Sequence, residues 1–209
     1  METNLLRTGG TNDHVINQVI AMEWKMFQQV ENIGGRAACQ DDMDTFYIMR
    51  YSQHAILRGE TLERYKADLI GGQNQGRNLI MEKYAYMMEA TDPEYYHTHI
   101  EGQIPRVTGE KAGVIGEIQR IMDGHYRAFA AKYPKYTSRG RSAEGGGSQT
   151  TIGVYLVGEL KTYSLQTLES FLADIKRLGE LGKNPVEMIQ EIMTGFYGYG
   201  SIGDAEEKM

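Results

Sequence analysis

Apolar side chains recur every three or four residues along most of the chain, which is the spacing of amphipathic α-helices. The segments with this pattern are approximately 12–31, 41–57, 61–92, 109–132, 151–163, 164–182 and 186–197. No strand-like alternation and no internal repeat accompanies it. The pattern predicts an all-α fold, a single-domain bundle of about seven helices.

Glycines and prolines mark the interruptions of this pattern. Gly71, Gly72 and Gly76 fall inside the third segment, which we interpret as one continuous or kinked helix. Residues 90–109 and 134–150 look irregular, because they are rich in proline, glycine or polar residues.

The ends of the chain lack the helical pattern. We expect an N-terminal tail at residues 1–11, a helical domain at 12–198 and a flexible, glycine-rich C-terminal tail at 199–209. A chain of 209 residues is the size of one ordinary domain.

Charge and composition narrow the classes of partner. The net charge of −6 argues against nucleic acid as the main partner. No stretch approaches the roughly 20 apolar residues of a membrane span, and the N-terminus lacks the apolar run of a signal peptide. A single cysteine indicates a reducing compartment. These features predict a cytoplasmic protein without a membrane partner, and they are compatible with a homo-oligomer.

Several polar residues lie on otherwise apolar helix faces. Glu23 continues the stripe of the first helix, Gln53 lies among apolar residues of the second, and Glu159 has a tyrosine one turn away on either side. A buried carboxylate is costly unless it is paired. Each residue could therefore be bonded internally, as Glu23 would be to an arginine, or could line a site. Their number favours a polar pocket inside the bundle.

The segment 36–42 precedes a predicted helix start and holds the only cysteine. A thiol beside Arg36 and a helix N-terminus can become a nucleophilic thiolate, although the acidic residues Asp41 and Asp42 oppose this. A lone cysteine is more often a small buried hydrophobe, which is the interpretation we favour. We expect Cys39 to be mostly buried and near Glu23, because a short turn joins the first two helices.

The loop around residues 138–148 combines arginines, hydroxyls and glycines ahead of a helix start. Arg139, Arg141 and Ser148 would suit a carboxylate or phosphate. A mobile lid that binds an anion and a plain flexible linker are equally compatible with this composition.

Histidines at 97 and 99 form a Glu-x-x-His spacing with Glu94, which di-iron bundles use in pairs. The sequence contains one such spacing instead of two, and this one lies next to a proline. We therefore favour the interpretation that His97 and His99 are solvated loop residues. His125 is a third candidate ligand, on an apolar face. We assign no metal site and no cofactor.

The stretches 22–53, 76–91 and 158–171 resemble a bacterial family known as domain of unknown function 4125. The resemblance implies a helical cytoplasmic protein and no established activity. Relatives can stand beside a nucleotidyltransferase-like domain, which would make this fold a helical substrate-binding half.

The leading hypothesis is a small-molecule enzyme with a polar pocket in the bundle and an anionic substrate. The alternative is a non-catalytic ligand-binding or partner module. The candidate residues are, for catalysis, Glu23, Cys39, Asp41 and Glu159, and for ligand binding, Arg36, Gln40, Gln53, Arg139, Arg141 and Ser148.

Overall fold

The structure is a computed structural model that describes residues 5–31, 35–139 and 151–209. These residues form eleven α-helices and no strand. The helices are α1 (Asp13–Phe27), α2 (Met43–His54), α3 (Gly59–Asn74), α4 (Leu79–Thr91), α5 (Pro93–Tyr95), α6 (Gly109–Lys132), α7 (Pro134–Ser138), α8 (Ile152–Thr162), α9 (Leu165–Glu180), α10 (Pro185–Phe196) and α11 (Ile202–Lys208). A 3₁₀ turn at Ala38–Asp41 and a π-helical turn at Tyr96–Ile100 complete the elements. The all-α prediction is confirmed, but the number of helices exceeds the predicted seven.

Side-chain caps explain where many of these helices begin. An Asp, Asn, Ser or Thr side chain accepts a hydrogen bond from a first-turn N–H, which satisfies a donor that has no partner within the helix. Six of the eight longer helices have such a cap, and the capping residues are Asp42, Asn78, Thr108, Thr151, Ser164 and Asn184.

The predicted continuous helix over 61–92 is wrong, because it is two helices, α3 and α4. Gly76 has a φ of 70°, a left-handed conformation that ends the first helix. Asn78 then caps the second by accepting from the backbone N–H of Met81 at 2.9 Å.

Three short helices account for the rest of the difference in number. Helices α5 and α7 each begin at a proline, in segments that the sequence pattern left irregular. Helix α11 lies where we expected a flexible tail. Its Ile202 and Ala205 are fully buried, and Glu206 accepts hydrogen bonds from two backbone N–H groups at the start of α7. Apolar burial and the hydrogen bonds from Glu206 to α7 give the segment a fixed place.

Helix α1 contributes a line of fully buried residues to the core and contacts α2, α3 and α4. Helices α4 and α8 approach closely at Gly158. A Cβ atom there would lie 2.9 Å from the backbone oxygen of Lys83, so only glycine permits this approach. The arrangement brings polar side chains of α1, α2, α3, α4 and α8 to one place. None of the described helices is both long and apolar enough to cross a membrane.

Candidate functional site

Three of the polar residues predicted to face inward meet at the guanidinium group of Arg50 on α2. Its Nε donates to Glu23 Oε2 at 2.9 Å, its Nη1 to Gln53 Oε1 at 2.6 Å and its Nη2 to Glu159 Oε1 at 2.8 Å. The convergence that helical periodicity predicts is therefore present. The roles of these residues in a functional site remain predictions.

A second set of side chains surrounds the two carboxylates. Tyr65 of α3 donates its hydroxyl hydrogen to Glu23 at 2.8 Å, and Tyr163 donates to Glu159 at 2.8 Å. Lys83 of α4 donates to Glu159 at 2.6 Å. We call the whole set the ionic cluster; its members are Glu23, Arg50, Gln53, His54, Tyr65, Lys83, Glu159 and Tyr163.

Electrostatics fix the charge state of the ionic cluster. Burial alone would raise the pKa of Glu23, but the opposing charge of Arg50, with hydrogen bonds from His54 and Arg50, lowers it to about 2. The pKa of Glu159 lies well below its ordinary value, because Arg50 and Lys83 outweigh its burial. Burial and the nearby carboxylates raise the pKa of Tyr65 well above its ordinary value. At neutral pH both glutamates are therefore ionised and balanced by two cations, and Tyr65 remains a neutral donor.

The hydrogen-bonding capacity of the carboxylates is largely used within the ionic cluster. Each of the four oxygens of Glu23 and Glu159 lies within hydrogen-bonding distance of at least two side-chain partners, and Oε1 of Glu23 has three. Of the two interpretations for Glu23, internal pairing with an arginine is thus the one that the structure contains. Sequence reasoning missed Arg50, although it lies one helical turn before Gln53 and is the kind of cation that a buried glutamate requires.

The segment around Cys39 does not join the ionic cluster. The prediction that Cys39 is buried is wrong, because the thiol is exposed on the 3₁₀ turn. Arg36 and Asp41 form an ion pair with each other at 2.8 Å, with side chains 46% and 69% exposed. Gln40 is buried and its amide donates to the carbonyl oxygens of Phe27 and Val30, each at 2.9 Å. This segment closes the turn after α1 instead of turning its polar groups toward Glu23.

The predicted anion-binding loop is described only in part. Arg139 is exposed directly after α7 and donates to the main-chain oxygen of Met209 at 2.8 Å. Arg141 and Ser148 lie outside the described residues, as does most of the predicted lid. No described contact links Arg139 to the ionic cluster.

The histidines considered as metal ligands have different surroundings. His97 pairs with Glu101 at 2.9 Å on the surface, and His99 stacks on Tyr95 with ring centroids 4.6 Å apart. Burial lowers the pKa of His125. Among the residues that the structure describes, no three His, Cys, Asp or Glu side chains are grouped so that they could hold a metal ion.

A groove of about 530 Å³ runs between α4, α6 and α8, on a face of α8 next to the one that carries Glu159. We call it the α8 groove. Met87, Val154 and Val157 give it an apolar wall, and Arg127 lies on its α6 side. Lys161, also in the lining, pairs with Glu89. Arg127 makes no ion pair with any described residue. The volume is typical of small-molecule sites.

The family described as "Protein of unknown function (DUF4125)" matches residues 13–207. The chain belongs to this family. No curated protein and no solved structure matches this DUF4125 chain. Every member of the ionic cluster and every lining residue of the α8 groove falls inside the matched range, so both features belong to the DUF4125 domain.

Proposed function

We propose that this DUF4125 protein binds a small amphipathic anion, and that the ligand occupies the α8 groove. The observation that carries the proposal concerns the guanidinium of Arg127, which has no ion-pair partner among the described residues and lines the same groove as an apolar wall. A planar guanidinium is well suited to a carboxylate or phosphate. The apolar wall of Met87, Val154 and Val157 would take the hydrocarbon part of the same molecule.

Binding without catalysis is the version of this proposal that the geometry favours. General acid or base chemistry needs a group with spare hydrogen-bonding capacity and a pKa near the working pH. Glu23 and Glu159 meet neither requirement. Their carboxylate oxygens already accept hydrogen bonds from Arg50 and its neighbours, and these groups lower the pKa values of both glutamates. The ionic cluster then serves to hold α8 in position beside the groove.

The enzyme hypothesis is the second candidate, and one observation favours it. The side chains of Lys83 and Glu159 are 13% and 15% exposed, so the edge of the ionic cluster that they form reaches solvent. The test is whether the wild type chemically converts an anion that it binds. Catalysis at this edge would be established if a Lys83→Met variant still bound that anion but did not convert it.

Calorimetric titration with hexanoate, phenyl phosphate and neutral hexanamide tests the binding proposal. We expect the two anions to bind and hexanamide to bind more weakly. Arg127→Gln should weaken anion binding about 10- to 100-fold, since a charge-assisted hydrogen bond contributes about 1.5–3 kcal/mol. Arg120→Gln is the matched control, because Arg120 is an exposed arginine of the same helix outside the groove lining. Equal affinities in the two variants, or no binding of either anion, would refute the proposal.

The cellular location of the protein is also a proposal. We infer a cytoplasmic protein, since Cys39 is the single cysteine of the chain and is exposed as a free thiol. A bacterial source is inferred from the resemblance to a bacterial family. Cell fractionation of a host that carries the gene natively tests this location. Recovery of the protein in a membrane or periplasmic fraction would contradict it.

A further inference from the structure

A second cavity of about 480 Å³ lies between the start of α1, the end of α2 and the C-terminal half of α10. We call it the N-terminal cavity. Two aromatic rings form part of its wall: Tyr51 of α2 and Phe196 of α10 meet edge to face, with centroids 5.5 Å apart. Aromatic faces of this kind attract organic cations through the ring quadrupole.

Two carboxylates belong to the same lining. Asp13 is only 4% exposed, and it accepts one hydrogen bond from the hydroxyl of Tyr51 at 2.7 Å and one from the backbone N–H of Gly10. Glu191 is exposed and accepts from the backbone N–H of Ile202 at 3.1 Å through one of its oxygens. Each carboxylate oxygen can accept more than one hydrogen bond, so capacity remains on both groups. The lining therefore combines aromatic surface with negative charge.

A cation of the chain itself already lies on this aromatic surface. The guanidinium carbon of Arg7 is 4.5 Å from the ring centroid of Phe196. The backbone of Arg7 is held in place, because its N–H donates to Tyr47 at 2.8 Å and its carbonyl accepts from Asn17 at 2.7 Å. Its side chain is exposed and forms no ion pair with a described residue. The side chain can thus leave the ring while the segment stays attached.

We propose that the N-terminal cavity is a binding site for an organic cation of the ammonium or guanidinium class. The cation lies against Phe196, and Asp13 and Glu191 supply the opposing charge. Arg7 occupies the same ring face when no ligand is bound, so it competes with the ligand for that face. This site is separate from the α8 groove, and its ligand has the opposite charge.

Titrations of the full chain with agmatine and with tetramethylammonium, followed by calorimetry, test the inference. Arg7→Gln should bind both probes about 2- to 5-fold more tightly than the wild type, because the competing exposed cation–π contact is gone. Glu191→Gln should weaken binding of both probes, since it removes charge from an exposed position while keeping an acceptor for Ile202. Arg120→Gln again serves as the control, with unchanged affinity expected.

Phe196→Leu should weaken binding of both probes, and thermal melting of that variant shows whether it is folded. Because Glu191 is exposed, Glu191→Gln keeps the test decisive even if Phe196→Leu does not fold. The inference is overturned if neither probe binds Arg7→Gln at millimolar concentration. It is also overturned if Glu191→Gln binds both probes as tightly as the wild type.

Discussion

Replacing Arg50 by methionine should strongly destabilise the protein, because it removes the cation at the centre of the ionic cluster. Glu23 is fully buried, and two nitrogens of Arg50 donate to its two oxygens. Methionine fills a similar length but supplies no hydrogen-bond donor and no charge. The variant therefore leaves a buried carboxylate with only His54 and Tyr65 as partners.

Two estimates give the expected loss in the free energy of unfolding. The shift in the pKa of Glu23 from its ordinary 4.5 to about 2 corresponds to about 3 kcal/mol of stabilisation of the ionised form at neutral pH. Removing one partner of a buried ion pair costs about 3–5 kcal/mol in other proteins. We expect the free energy of unfolding to fall by about 3–5 kcal/mol, which for a chain of this size lowers Tm by about 6–20 °C.

The stability difference between the wild type and Arg50→Met should depend on pH. In the wild type the pKa of Glu23 is lowered, so its stabilising contribution is present above about pH 4.5 and is lost as the pH falls toward 2. In Arg50→Met the burial of Glu23 is no longer opposed by Arg50, and its pKa rises in the folded state. Protonation then relieves the buried charge. The difference in stability between the two proteins should narrow as the pH falls from 7 to 3.5.

Urea unfolding followed by circular dichroism at pH 7 and pH 3.5 measures both quantities. Arg64→Met is the control, because Arg64 pairs with Glu60 on the surface, where the side chains are 39% and 60% exposed. Such a pair contributes at most about 0.5 kcal/mol. A loss below about 1 kcal/mol for Arg50→Met, or an equal loss at both pH values, would refute the account of a buried, ionised Glu23.

Three further variants test other parts of the structure. Gly158→Ala should lower the free energy of unfolding by about 1–3 kcal/mol, because the added Cβ would lie 2.6 Å from the Cγ of Met87. Gly113→Ala, in open space on α6, is the control and should be neutral or slightly stabilising. Equal unfolding midpoints for the two variants would argue against the close α4–α8 contact. Cys39 should react with a thiol reagent in the native protein as fast as a free peptide thiol, and slow labelling would show that it is covered. Asp174→Asn should lower stability by about 1–3 kcal/mol, because this fully buried carboxylate joins α9 to the start of α3, and an unchanged melting temperature would contradict that role.

The sequence by itself determined the helical class and much of the local structure. Apolar spacing of 3.6 residues depends only on which residues share one side of a helix, so it identified the inward faces that carry Glu23, Gln53 and Glu159. Turn chemistry is also local. Gly76 and Asn78 are residue types that typically end one helix and begin the next, so the break between α3 and α4 was predictable. The prediction of one helix was wrong because the apolar pattern continues across both helices.

Only the tertiary structure decided what those inward faces meet. Arg50 and Glu159 are separated by 109 positions in sequence, and no helical period specifies that α2 and α8 are neighbours. The exposure of Cys39 has the same origin, since it depends on how the turn after α1 lies against the core. Periodicity orients a side chain relative to its own helix, whereas pairing and cavities depend on the packing of helices distant in sequence. For this reason the inward carboxylates were predictable, whereas the pairing of one arginine with both of them, the α8 groove and the N-terminal cavity were not.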